Sequence, residues 1–446
     1  MKCHLRAALV FACLYLPGSG RAVGPATPSA PSLNGEWHLT TVVWGNELHE
    51  RMNLHVEEGE VSGWIYQNGK RAPIAGTADA HGVRWEAPDG TGKEAYSGRI
   101  EREEIVGTVV SSGPEEWGTS PPSLWRARRE PSLPPGEPRT IDFEPVEFHR
   151  FFSASVPAVL RIRPGDIVRT KTVDAAGVDE KGNSRSLGGN PQTGPFYVEG
   201  AMPGDVLAIH IRRLRLNRTT AISDDGIVDR ALTTDYAGAH RDNGFKSVIW
   251  SLDLEKGMAS PAKATEHLKG LVVPVRPMLG CVGVAPGFGA APIRTGDSGR
   301  FGGNMDFNEI REGATVYLPV SQPGALLYFG DGHALQGDGE LNGDALETSL
   351  DVEISVDVLR EKSLAGPRVE NAEYLMAMGL GGSIDQAFRD AGSALAEWLQ
   401  QDYKLTSPES AILLGATIEY QISEVADRNV GVVAKVRKKY LPGATR

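Results

Sequence analysis

In residues 352–360, "VEISVDVLR", apolar and polar side chains alternate from Val352 to Val358. The apolar members occupy every second position: Val352, Ile354, Val356 and Val358. Successive side chains of a strand point to opposite faces, so this spacing gives one apolar and one polar face. Such alternation is typical of an antiparallel strand that packs on a core with one face and meets water with the other. The run therefore predicts an antiparallel β-sheet.

The same pattern continues upstream, and it changes near the C-terminus. Residues 158–175 contain two strand-like runs around a Pro-Gly-Asp turn, and residues 206–216 alternate as well. Residues 384–403 instead place apolar side chains on one helical stripe after Ser383, a predicted N-cap. The members of that stripe are Ile384, Phe388, Ala391, Leu395, Trp398 and Leu399. We predict a β-sandwich-like main domain with C-terminal helices, over residues 141–446.

A smaller unit precedes this domain. Residues 33–129 consist of short β-type runs separated by Gly, Asn and Asp turns, and Trp37, Trp64, Trp85 and Trp125 lie on these runs. Even spacing of short strands is typical of a small antiparallel barrel or meander. Proline-rich segments at 23–32 and 130–140 are predicted linkers, because proline restricts the backbone and removes a hydrogen-bond donor. The whole chain is thus predicted to be mainly β.

The first 22 residues are typical of a signal peptide. Lys2 and Arg6 precede an apolar run at residues 7–16, which is too short to span a bilayer. The run predicts a secreted or periplasmic protein, and a lipid anchor on Cys13 is the less favoured alternative. No later stretch is apolar and long enough to predict a membrane span.

Charge and cysteine content exclude further classes. The net charge of -11 argues against non-specific nucleic-acid binding, which needs a basic surface. Of three cysteines, only Cys281 lies beyond the predicted signal peptide, so no intrachain disulfide is expected in the mature chain. Cys281 stands among apolar residues and is interpreted as a small buried side chain.

Residues 328–347, "YFGDGHALQGDGELNGDALE", place five acids and one histidine among glycines after an apolar run. Carboxylates held close repel one another unless a cation, a proton or water relieves them. Asp331 and His333, with other acids, suit zinc or a similar divalent cation. Calcium is the alternative, because it prefers oxygen ligands. Solvent-exposed turns are a further interpretation, favoured for Asp338, Glu340 and Asp344. A serine hydrolase is not indicated, because the sequence lacks the nucleophile-elbow motif G-x-S-x-G.

Long segments of this chain resemble the acetamidase/formamidase family. They are "GGNMDFNEI" (302–310), "GATVYLPVSQPGALLYFGDGHALQGDGE" (313–340), "NPQTGPFYVEGAMPGDVLAIHI" (190–211) and "PMLGCVGVAP" (277–286). The resemblance spans roughly residues 143–441. It implies a β-sandwich-like core with helical additions, metal-assisted attack on a carboxamide carbon, and frequent oligomers.

The resemblance also implies site residues. Asp306 matches the acid of the family's Gly-Asn-Met-Asp, and Asp331 and His333 match its Gly-Asp-Gly-His. Asp174 matches an acid that ends an early strand. We expect a metal held by His333 with Asp331, Asp174 or Asp306. Glu347 or a second acid is the expected general base, and Asn304 the expected donor to the developing oxyanion. The alternative for Glu347 is a side chain that faces water. The alternative for Asn304 is a cap on the glycine turn.

The chain departs from the family in its predicted export and in its extra unit at 33–129. The predicted function is hydrolysis of a small linear carboxamide such as formamide or acetamide, with a divalent metal, zinc favoured over calcium. The alternatives are a non-catalytic β-sandwich that binds a small ligand or metal, and a hydrolase of a lactam or a larger amide.

Overall fold

The computed structural model of the chain describes residues 32–67, 69–114, 118–129, 136–240 and 245–443. The predicted signal peptide, most of the first predicted linker and residues 130–135 of the second lie outside these ranges. Within them, no helix combines the length and apolar character that crossing a membrane requires.

The N-terminal unit is a closed antiparallel barrel of eight strands. Each strand pairs with the next, and the last also pairs with the first, which closes the sheet. The strands are β1 Gly35–Val43, β2 Asn46–Glu57, β3 Glu60–Gln67, β4 Lys70–Asp79, β5 Gly82–Asp89, β6 Gly92–Glu101, β7 Glu104–Ser112 and β8 Ser123–Arg129.

Tryptophan and tyrosine fill much of the barrel interior. Trp85 stacks on Tyr96 with ring centres 5.1 Å apart and meets Trp125 edge-on at 4.9 Å. Trp37 is also buried, whereas Trp64 lies on the outer face beneath the guanidinium of Arg71. Aromatic pairs in these arrangements add to the apolar area that they bury. The prediction of a small antiparallel barrel is therefore confirmed.

Twenty-two strands build the main domain. The first eleven are β9 Thr140–Asp142, β10 Phe151–Phe152, β11 Leu160–Ile162, β12 Ile167–Lys171, β13 Thr193–Val198, β14 Val206–Leu216, β15 Thr220–Asp224, β16 Ser247–Asp253, β17 Met258–Pro261, β18 Val273–Pro274 and β19 Met278–Val284. The others are β20 Ile293–Arg294, β21 Ser298–Gly299, β22 Gly302–Asn304, β23 Thr315–Pro319, β24 Leu327–His333, β25 Glu347–Thr348, β26 Leu350–Leu359, β27 Arg368–Glu370, β28 Tyr374–Gly381, β29 Glu419–Glu424 and β30 Val430–Arg437.

Two large sheets enclose the main core. One has nine strands in the order β29-β30-β28-β27-β23-β14-β26-β12-β9. The other has eleven strands, nine of them in the order β18-β17-β16-β15-β25-β24-β19-β22-β21, with β13 beside β24 and β11 beside β13. Apolar side chains from β14 and β26 of the first sheet pack against those of β19 and β24 of the second. The prediction of a mainly β, sandwich-like fold is confirmed.

Three α-helices occur in the described residues: α1 Thr234–His240, α2 Ile384–Tyr403 and α3 Ser407–Thr417. Helix α2 begins after Ser383, whose hydroxyl accepts the backbone N–H of Gln386, as an N-cap does. Its buried face is formed by Ala387, Ala391, Ala394, Leu395, Trp398 and Leu399. The predicted stripe is wrong at its first turn, since Ile384 and Phe388 are more than one-third exposed. Small alanines replace them at the sheet, where bulkier side chains would hold the helix away.

A buried ion pair joins the barrel to the sandwich. Arg51 of β2 donates through both Nη atoms to the two carboxylate oxygens of Asp205, each at 3.0 Å. Both side chains are at most 1% exposed. Asp205 also accepts the backbone N–H groups of Met202 and Glu361, each at 3.0 Å. All four hydrogen bonds to this carboxylate are therefore made inside the interface, away from water.

Candidate active site

Strand pairing in the eleven-stranded sheet brings His333 and Glu347 together. The apolar run that was predicted to end near Phe329 continues as β24 to His333, and every residue of β24 is buried. In the pairing of β24 with β25, His333 lies opposite Glu347. The His333 Nε2 atom is 2.9 Å from Glu347 Oε1. The register of one short strand pair thus sets this contact.

Two aspartates approach the same nitrogen. His333 Nε2 lies 3.4 Å from Asp331 Oδ1 and 3.9 Å from Asp306 Oδ1. Asp331 precedes His333 by two residues on β24, whereas Asp306 follows β22. The backbone N–H of Asp306 donates to the carbonyl of Gly280 on β19 at 3.0 Å, which anchors that loop. Three strands therefore deliver one imidazole and three carboxylates to one point.

The other ring nitrogen of His333 is held by an amide. Its Nδ1 lies 2.9 Å from Gln336 Oε1. The Gln336 Nε2 group donates to the backbone carbonyls of Asp306 and Ser423, so the side-chain oxygen must face the imidazole. His333 then donates from Nδ1, and in the neutral ring Nε2 carries the lone pair. A partner of this kind on the outer nitrogen is what metal-binding histidines use.

A chain of amides orients the two aspartates from outside. Asn190 Nδ2 donates to Asp331 Oδ2 at 3.0 Å and to Asn304 Oδ1. Asn304 Nδ2 donates to Asp306 Oδ2 and Asp427 Oδ2, each at 2.6 Å. The outer oxygen of each aspartate is thereby occupied, and the inner oxygen faces His333.

Those inner oxygens have no hydrogen-bond partner in the described residues. Asp306 Oδ1, Asp331 Oδ1 and Glu347 Oε2 are all buried and unpartnered. A buried charged oxygen without a partner is costly, and a bound cation would relieve that cost. Two groups of ligand atoms fit one ion each, and they share His333: Asp306–Asp331–His333 and His333–Glu340–Glu347. Imidazole nitrogen together with carboxylate oxygen is a donor set that suits zinc and related divalent cations.

Burial and mutual repulsion shift the pKa values in the cluster. Burial raises the pKa of Glu347 to about 8, with Asp331 adding to the shift. Burial, then the charges of Glu340 and Asp331, raises the pKa of Asp306 well above its usual range. Burial alone would lower the pKa of His333, but Glu347 and Asp331 raise it well above normal. The site therefore has more negative charge than one imidazole can balance.

The backbone is strained at four residues of the cluster. Asn190 (φ 60°), Asp306 (φ 38°), Asp331 (φ 57°) and Glu340 (φ 48°) all lie in the left-handed region. A residue with a Cβ enters this region at an energetic cost, and such residues concentrate at functional sites. The strained backbone at these four residues thus directs their side chains toward the cluster.

The structure brings together four of the six predicted site residues: Asp306, Asp331, His333 and Glu347. The alternative in which Glu347 faces water is wrong, because the residue is only 7% exposed. Asp174 is not in the cluster; its Oδ2 accepts from Arg218 Nη2 at 2.8 Å in a buried ion pair. Asn304 lies beside the cluster, and its two amide N–H bonds are already directed to Asp306 and Asp427.

Sequence reasoning missed several members of the site. Glu340 was interpreted as a solvent-exposed turn residue, and this is wrong, because it is 6% exposed and lies with His333 and Glu347. One indication of Gln336 in the sequence was its position three residues after His333, close enough to contact the imidazole. Asn190 opens one of the family-like segments, which could have marked it. Asp427, in the loop between β29 and β30, stands in no motif.

The space between the carboxylates depends on a glycine. A Cβ at Gly280 would lie 2.4 Å from Asp306 Oδ1, 2.5 Å from Asp331 Oδ2 and 2.9 Å from His333 Cε1, so it would displace these side chains. We therefore expect Gly280→Ala to weaken zinc binding by at least ~10-fold, as competition with a chromogenic chelator would show. Gly382→Ala is the control, because a Cβ there would meet nothing within 4 Å. Equal zinc affinity in Gly280→Ala and the parent chain would contradict a site between these oxygens.

The sequence and the fold of this chain match those of known proteins. The sequence model of the Acetamidase/Formamidase family matches residues 139–291 and 287–403. A candidate formamidase of Schizosaccharomyces pombe is 23% identical over 275 residues, which cover 49% of this chain and 65% of that protein. The chain thus spans just under two thirds of the length of this curated relative.

Solved structures give the same result. A recombinant predicted acetamidase/formamidase from Thermoanaerobacter tengcongensis is 30% identical, with a TM-score of 0.59 over 69% of this chain and 98% of that one. An acetamidase from Yersinia enterocolitica is 28% identical (TM-score 0.58, covering 68% and 93%). An acetamidase from Bacillus halodurans is 26% identical (TM-score 0.57, covering 67% and 98%). This chain belongs to the acetamidase/formamidase family.

Proposed function

We propose that the chain is a metal-dependent amidase, with zinc as the favoured cation. In this proposal it cleaves the C–N bond of a small linear carboxamide to give a carboxylate and ammonia. The observation that carries the proposal is the buried cluster of His333, Asp331 and Asp306, whose inner carboxylate oxygens lack partners. The family and the names of its relatives, acetamidase and formamidase, support the same reaction.

The residues present fit a divalent cation. Asp306, Asp331 and His333 would hold it, because their unpartnered oxygens and the Nε2 lone pair converge within the span that one ion requires. When bound, such a cation polarises a carbonyl and lowers the pKa of water. Asn190, Asn304 and Gln336 would keep these ligands in place through the hydrogen bonds already described.

Glu347 is the proposed general base. Its Oε1 contacts His333, whereas its buried Oε2 has no hydrogen-bond partner in the described residues and can accept a proton from the attacking water. The water oxygen bonds to the carboxamide carbon, and the C–N bond then breaks. The proton taken by Glu347 passes to the leaving nitrogen, and the carboxylic acid product gives its remaining proton to the released ammonia. One amide and one water thus yield one carboxylate and one ammonium ion.

Ammonia release tests this proposal. Zinc-loaded protein should release ammonia from formamide, acetamide or propionamide, a chelator should abolish the release, and added zinc should restore it. Glu347→Gln should bind zinc yet lose most of the turnover, because the amide cannot accept the proton. A zinc-replete protein that binds these amides and hydrolyses none of them would favour the non-catalytic alternative and overturn the proposal.

A further inference from the structure

The cavity beside the cluster is far larger than acetamide requires. Its volume is about 1380 Å³, whereas pockets of about 300–1,000 Å³ already accommodate drug-sized ligands. Asp306, Asp331 and Glu347 line its deep part, since all three are buried. A carboxamide of one or two carbons would occupy only the space beside them. The remaining volume is therefore available to the rest of a longer substrate.

Arginines line the outer part of the same cavity. Arg150, Arg294 and Arg428 border it, and all three are exposed. Strand pairing of β10 with β20 places Arg294 opposite Phe151, and the carbonyl of Arg150 accepts the N–H of Thr295. Arg294 therefore lies on β20, and Arg150 directly precedes its partner strand β10 at the cavity wall.

Two of these arginines have no carboxylate partner in the part of the chain that the structure describes. The guanidinium of Arg294 makes no hydrogen bond or ion pair within those residues, and that of Arg150 donates only to the backbone carbonyl of Gly188, at 3.2 Å. Arg428 differs, because it pairs with Asp297 at 3.2 Å. Elsewhere, arginines such as Arg71 and Arg169 form ion pairs with Glu361 and Glu353.

Apolar side chains share the cavity with the buried acids and this arginine pair: Phe151, Ile222, Pro292 and Phe301 line it as well. A ligand that fills such a cavity would have a polar amide at one end, a hydrocarbon middle and a group at the other end that suits guanidinium. Arginine recognises carboxylates strongly, because its planar fork matches both oxygens.

We propose that the preferred substrate is the monoamide of a dicarboxylic acid, whose free carboxylate binds Arg150 and Arg294 while its amide lies at the His333 cluster. This inference rests on the proposed amidase function and specifies its substrate class. The carboxylate adds charge-assisted hydrogen bonds that acetamide cannot make, and these bonds hold the reacting carbon in place.

The test compares each anionic amide with a neutral amide of equal chain length. Monoamides of succinic, glutaric and adipic acid are paired with butanamide, pentanamide and hexanamide, and kcat/KM is measured at low ionic strength with zinc-loaded protein. At least one anionic amide should exceed its neutral partner by about 10-fold or more, the gain that charge-assisted hydrogen bonds supply. High salt should reduce this preference, because the arginines are exposed.

The double variant Arg150→Gln/Arg294→Gln should lower kcat/KM for that anionic amide at least ~10-fold more than for its neutral partner. Arg84→Gln removes one positive charge from an exposed position of barrel strand β5 and should leave the ratio unchanged. A parent protein without anionic preference, or a double variant that lowers both values equally, would overturn the inference while amide hydrolysis itself stands.

If neither anionic nor neutral amides are hydrolysed, the proposed amidase function fails. The anion site at Arg150 and Arg294 can still be tested, by measuring the binding of a dicarboxylate. Titration calorimetry would then measure glutarate binding to the zinc-loaded protein. Affinity that falls in the double variant but not in Arg84→Gln would support an anion site at these arginines. Equal affinity in all three proteins would overturn it.

Discussion

His333→Ala is expected to lower kcat/KM for amide hydrolysis by on the order of 10³-fold or more. Loss of an outer partner of a metal ligand costs about 10–100-fold, and removal of a nitrogen ligand itself should cost more. His333 belongs to both groups of ligand atoms and contacts Glu347, so its loss disturbs the cation and the base together. Ammonia release and zinc content measured on the same samples would show both effects.

Two further variants separate loss of the site from loss of the fold. His333→Cys keeps a zinc ligand at this position, so it should retain more zinc than His333→Ala. His210→Ala removes a histidine on the outer face of β14, bonded to Thr315 and Asp357, and should leave turnover unchanged. A folded His333→Ala protein with parental zinc content and turnover would contradict the role given to His333.

Arg51→Ala is expected to destabilise the protein by about 3–5 kcal/mol, the cost of leaving a buried charge without its partner. Asp205 would keep its two backbone hydrogen bonds but lose both bonds to the guanidinium, and it is inaccessible to water. The barrel would separate more readily from the sandwich. Urea unfolding, followed by the fluorescence of the barrel tryptophans, would measure the change.

The double variant Arg51→Met/Asp205→Leu is the matched control. Replacing both charges with apolar groups of similar size removes the unpaired charge, so much of the lost stability should return. Arg71→Ala breaks an exposed pair with Glu361 at the same junction and should cost far less than Arg51→Ala. A cost for Arg51→Ala as small as that for Arg71→Ala would contradict the importance of the buried pair.

The sequence predicted the fold wherever local pattern and tertiary packing agree. The alternation at residues 352–358 lies within β26, and the helical period after Ser383 corresponds to α2. Ile384 and Phe388 show the limit of the method, because an apolar side chain on the correct stripe is still exposed where the sheet below it ends. Periodicity indicates which face is apolar and leaves open how far the neighbouring element extends.

The site was predictable where ligands stand close together in sequence, as Asp331 and His333 do. Glu340 could not be predicted, because its burial depends on a distant segment: Gly339 donates to the carbonyl of Ile422, and the N–H of Val425 donates to Gly339. The same segment carries Asp427 to Asn304. Asp174 was predicted as a metal ligand but forms an ion pair with Arg218 instead. The two residues are 44 positions apart, so no local pattern in the sequence indicates their pairing.

The proposed cation site is tested most directly by anomalous diffraction at the zinc edge from crystals of zinc-loaded, active protein. A peak is expected about 2.0–2.1 Å from His333 Nε2, within bonding distance of Asp306 Oδ1 and Asp331 Oδ1. Active crystals without a peak in this cluster, or with zinc bound only elsewhere, would contradict the proposed cation site.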